Sequence, residues 1–68
     1  MWEIVDYIIA DFIEVGDVIK LDDLIIHVEH VDVSEDDPIV IGYEDEWGED
    51  IRIPIDSTKI IPIVMIKD

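Results

Sequence analysis

Nineteen Asp and Glu against four Lys and Arg give this 68-residue chain a formal charge of −15. That field repels nucleic-acid phosphates and anionic membranes, and it favours basic partners or cations. With no cysteine, neither a disulfide staple nor a cysteine zinc site is available.

The length allows one domain, residues 1–68. Half of the residues are hydrophobic, and Ile and Val dominate among them. Both are stiff at χ1 and suited to strands, so the chain is not a disordered acidic tail. No stretch reaches the about 20 apolar residues of a membrane helix. Glu3, Asp6 and Asp11 interrupt the N-terminus, which lacks the basic start of a signal peptide. The expected location is cytoplasmic.

Residues 2–9, Trp-Glu-Ile-Val-Asp-Tyr-Ile-Ile, support two readings. Glu3, Asp6, Asp11 and Glu14 fall on one side of a helical wheel, opposite Val5, Ile8, Ile9 and Phe12. An α+β fold with an N-terminal helix is therefore the alternative. The β-branched content and the lack of an N-cap favour a strand. Ala10–Ile13 then makes a short turn into Val15-Gly16-Asp17. Val18–Leu21 is a short strand, and Asp22-Asp23 the next turn. Leu24–Val33 is the longest strand-like run. Pure alternation along it would bury Asp32. A bulge near Glu29-His30 repairs this: Ile26, Val28, Val31 and Val33 face inward, and His27, Glu29 and Asp32 outward.

Ser34–Pro38 reads as a loop and Ile39–Tyr43 as a central strand. Gly42 within it signals a kink or a close backbone approach. Glu44–Gly48 is a hairpin turn. Glu49–Ile55 alternates, with Ile51, Ile53 and Ile55 on one face and Asp50, Arg52 and Pro54 on the other. Asp50 and Arg52 are expected to pair outward, for little gain. Pro54 and Pro62 cannot donate to a ladder, so each is expected at an edge or a strand end. Residues 54–59 read as one 3₁₀ or helical turn, and Ile60–Ile66 as the last strand.

The stretch Ala10-Asp11-Phe12-Ile13-Glu14-Val15-Gly16-Asp17-Val18-Ile19 resembles the lead-in to the first strand of SH3-like small barrels. Tyr43–Gly48 followed by Ile51-Arg52-Ile53-Pro54 is similar to their third-to-fourth strand connection. The resemblance spans roughly residues 10–66 and implies a mostly β, SH3-like barrel of five or six strands with one 3₁₀ turn. Residues 1–9 lie outside it, and a strand there would pair with Ile63–Ile66. KOW-like modules of this kind bind RNA or proteins. Lys20, Arg52, Lys59 and Lys67 are the only Lys and Arg residues, which excludes the RNA-binding kind.

No nucleophile–base pattern and no phosphate loop is legible, so a non-catalytic protein is expected. The loop at 34–38 and the hairpin at 44–50 hold eight of the nineteen carboxylates. Tyr43, Glu44, Asp45, Glu46, Trp47, Glu49 and Asp50 form the expected partner-binding surface, facing a basic protein. An aromatic side chain rimmed by charge suits a protein contact; the structural alternative is Trp47 folded back as a lid over the core. One further function is mimicry of nucleic-acid phosphates, inhibiting a DNA- or RNA-processing enzyme. Another is weak Ca²⁺ or Mg²⁺ binding by Asp36, Asp37, Asp45 and Glu46, should the two turns share one end of the barrel. His27 and His30 read as strand histidines beside neighbouring acids, and Trp2 as packing.

Self-repulsion predicts a melting temperature that climbs by several degrees from low to high NaCl, and further with divalent salts. Scanning calorimetry across a salt series checks this; a flat melting temperature contradicts it.

Overall fold

Inward-facing Ile and Val on successive strands dictate the architecture. The computed structural model describes residues 1–34 and 36–67. Six strands follow in chain order: β1 (Trp2–Ile9), β2 (Val18–Leu21), β3 (Leu24–Asp32), β4 (Ile39–Glu44), β5 (Asp50–Pro54) and β6 (Ile60–Ile66). One 3₁₀ turn, Ala10–Phe12, joins β1 to the lead-in of β2. All pairings are antiparallel, in one sheet of order β1-β6-β2-β3-β4-β5. The chain is mostly β, a small barrel-like fold. Its N-terminal segment is a strand, which settles the helix alternative. No helix among the described residues is long and apolar enough to cross a membrane.

The core gathers Ile19 and Leu21 of β2, Ile26 and Val28 of β3, Val40 of β4 and Ile61 of β6, with Ala10, Ile13 and Ile55 from the connections. Each fully buried Ile or Val contributes roughly 1.5–3 kcal/mol of apolar transfer. β6 lies between β1 and β2, with Trp2 opposite Ile66 and Ile9 opposite Ile60. A register shift between Ile4 and Asp6 leaves Val5 as a bulge in this ladder.

The expected bulge in β3 is present: the register with β4 shifts between Val28 and His30. Val31 then meets Val40 and Asp32 meets Ile39, which turns Val31 inward and Asp32 outward. Val33 departs from expectation. β3 ends at Asp32, whose carboxylate accepts the Ser34 backbone N–H at 2.9 Å. That local bond competes with the ladder and leaves Val33 exposed. Ile53 is also exposed, because β5 is an edge strand with a single neighbour. Pro54 ends that edge as expected, but Pro62 stands inside β6. It faces Tyr7 of β1, while β2 meets β6 at the one register pair Ile19–Ile63. The sheet tolerates a missing N–H where its ladder is this sparse.

The turn expected over residues 54–59 is a single hydrogen-bonded turn: the Lys59 N–H donates to the Asp56 carbonyl at 3.0 Å. The Asp56 carboxylate takes both the backbone N–H and the hydroxyl of Thr58, which stops the turn from propagating.

At Gly42, β4 lies close against the β3 backbone. A Cβ there would collide with the His27 carbonyl oxygen. Gly16, at φ +97°, has open space around it. Gly42→Ala therefore has to move backbone and is expected to lose about 3 kcal/mol or more. Gly16→Ala strains only its own dihedral, at about 1–2 kcal/mol. Urea denaturation of the two variants checks the order; equal losses contradict it.

Candidate functional site

Alternation along β4 turns Val40, Gly42 and Glu44 inward and leaves Ile39, Ile41 and Tyr43 outward. Glu44 is thus carried to the rim of the core and is only 6% exposed. Its carboxylate accepts the Trp47 backbone N–H at 2.6 Å. Its carbonyl accepts from Gly48 at 2.8 Å, and its own N–H donates to the Glu49 carbonyl at 2.9 Å. Glu44 therefore closes the β4–β5 hairpin from within. It is withdrawn from the contact surface expected of it.

Outward on the same strands, His27 of β3 stands opposite Tyr43 of β4. Their rings stack at 4.6 Å, within 6° of parallel. Trp2 of β1 meets the His27 ring edge-on at 5.6 Å. Asp45, the first residue of the hairpin, joins the group. Its Oδ2 accepts the Trp2 indole N–H at 3.0 Å, and its Oδ1 lies 2.7 Å from His27 Nε2. An ionised carboxylate only accepts, so Nε2 carries the proton in this contact. The bonds from His27 and then Trp2 hold the Asp45 carboxyl below the usual aspartate range. Asp45 is committed within the molecule, a second departure from the expected contact surface.

Trp47, Glu46, Glu49 and Asp50 do lie on the surface. Trp47 is 78% exposed, so it is no lid over the core. Tyr43 is partly accessible beside them. Arg52 and Asp50 form no ion pair; the pairs among the described residues are His27–Asp45 and Lys67–Glu3. The carboxyl of Asp32 is held low first by the backbone and hydroxyl of Ser34, with minor help from His30 and Arg52.

The four carboxylates read as a cation site do not converge. Asp36 and Asp37 precede β4, and Asp45 and Glu46 follow it. Six strand residues, about 20 Å, separate the pairs. Asp37 is also engaged, accepting the Ser57 N–H at 3.1 Å. Among the described residues no group of three His, Asp or Glu side chains is placed to hold a metal ion. The β3 bulge puts His27 and His30 on one face, yet only His27 joins the cluster.

Trp2 and His27 are the residues that sequence reasoning missed here. Their partnership depends on β6 lying between β1 and β2, a pairing across nearly the whole chain. No family model, no curated protein and no solved structure matches this chain.

A folded-state pKa that is lowered contributes stability that is present above the unfolded value and lost as the pH falls through the folded one. Asp45→Asn is therefore expected to lower the urea midpoint at pH 7. The gap to the parent protein is expected to shrink below about pH 4, where the unfolded carboxyl protonates. A gap that is constant with pH contradicts this role.

Proposed function

We propose that the chain is a non-catalytic binding module of the SH3-like kind that takes a basic protein segment on its β4–β5 hairpin. The observation that carries this reading is Trp47, 78% exposed at the hairpin tip with Glu46, Glu49 and Asp50 exposed around it. An indole face attracts a guanidinium or ammonium group, by roughly 0.5–1 kcal/mol at exposed sites and about 2 once water is excluded. The neighbouring carboxylates add long-range attraction and a fast encounter. Glu44 and Asp45 fix the shape of the hairpin and leave contact to the remaining acids and Trp47.

Mimicry of nucleic acid needs carboxylates alone. The binding-module reading needs the ring, so the two separate at Trp47. Titration of an arginine-rich peptide, followed by calorimetry, is expected to show binding that weakens with NaCl. Trp47→Ala is expected to weaken it about tenfold, or 1.4 kcal/mol. Trp47→Phe should recover part of that loss. Binding that salt abolishes and Trp47→Ala leaves unchanged would overturn the proposal.

A further inference from the structure

The outer face of the β1–β6 ladder is apolar along its whole length. Four pairs share this face, Trp2–Ile66, Ile4–Val64, Tyr7–Pro62 and Ile9–Ile60; Val64 is buried and Trp2 and Pro62 are half-buried, so the exposed apolar surface comes from Ile4, Tyr7, Ile9, Ile60 and Ile66. The solvent face of an antiparallel sheet ordinarily alternates to polar residues; this one does not. Tyr7 and Ile60, at 60% and 62% exposure, stand near the middle and one end of the strip. A shallow groove of about 250 Å³ extends it toward β2, past Ile4, Ile60 and Pro62. β1 is also a sheet edge.

Charge narrows the choice of occupant. Lys20 and Lys59 line the groove, and Lys67 follows the end of β6. Three of the four Lys and Arg residues thus border the strip. A basic partner is drawn to the acidic hairpin instead, and an anionic membrane is repelled by the charge of −15. A second acidic chain meets less repulsion where cations offset carboxylates, as Lys20 and Lys59 do along this groove. Asp22 lines the same groove, so a two-fold contact can set the lysines of one protomer against Asp22 of its partner. Size agrees as well. Eight residues make the strip roughly 25 Å long, and with the groove it is three strands, about 14 Å, wide. With side-chain relief, two such faces bury on the order of the 1,000 Å² in total that a specific interface needs.

We propose that the apolar β1–β6 face is the interface of a two-fold homodimer. Sedimentation and light scattering of the full chain, over a wide concentration range at low and high NaCl, test this. The mass is expected to rise from 7.9 kDa toward twice that value, and to do so at lower concentration in high salt, where repulsion is screened. Tyr7→Lys and Ile60→Lys are each expected to weaken association at least tenfold with the circular dichroism unchanged. Val33→Lys makes the same charge change at an exposed apolar residue outside the strip and should leave association intact. In the parent protein, concentration-dependent amide shifts should be confined to β1, β6 and the groove, an answer that survives the unfolding of any variant. A monomer at every concentration and salt, shifts centred elsewhere, or a Val33→Lys variant as impaired as the strip variants would overturn the proposal.

Discussion

Asp45 stands between an indole N–H from the second residue of the chain and an imidazole in the middle of β3. This one carboxylate joins β1, β3 and the β4–β5 hairpin, segments far apart in sequence. In the sheet β6 and β2 separate β1 from β3, so the contact requires β6 to return to β2 and β1 to be laid outside it. The bridge thus depends on the complete strand order, and it fixes the hairpin against the sheet in return. The stacked His27 and Tyr43 rings fill the face between. Cross-strand aromatic pairs of this kind add about 0.5–1.5 kcal/mol beyond their burial.

The two ends of the hairpin therefore do different work. Glu44 and Asp45 spend their charge inside the molecule, on backbone N–H groups and ring nitrogens. Glu46, Trp47, Glu49 and Asp50 face outward. A chain of formal charge −15 is polarised as a result. Its acidic hairpin carries an exposed tryptophan. Its lysines border an apolar face at the β1 edge, where an ordinary sheet would show charge.

Local pattern carried most of the fold. Ile-Val runs between turn residues mark every strand, and the bulge at Glu29 follows from refusing to bury Asp32. Gly42 in a β-branched run announces the contact with His27. What local pattern does not hold is register. Strict alternation of Val40, Gly42 and Glu44 already points Glu44 inward, but the acidic run around it suggests a solvated turn, and only the ladder decides. Val33 and Ile53 look like core by composition and are exposed, because one lies past a strand end and the other on an edge. Nothing local places Pro62 inside a strand, since the tolerance comes from how little β2 and β6 share. The relation of the two acidic turns is not local either: whether they meet at one end depends on the length and direction of the strand between them. Of the candidate site, Trp47 and its flanking acids were legible, and the Trp2–Asp45–His27 bridge was not.

The two tryptophans have opposite roles, and one measurement addresses that directly. The chain has two indole N–H groups, so a ¹⁵N–¹H spectrum shows two indole signals whose exchange with water can be timed separately. The Trp2 signal is expected to exchange slowly, shielded by its bond to Asp45, while the Trp47 signal exchanges at the rate of a free indole. Two signals exchanging equally fast would mean that Asp45 does not hold Trp2. Protection of Trp47 instead would mean that the hairpin tip is folded away, and with it the surface on which the proposed function stands.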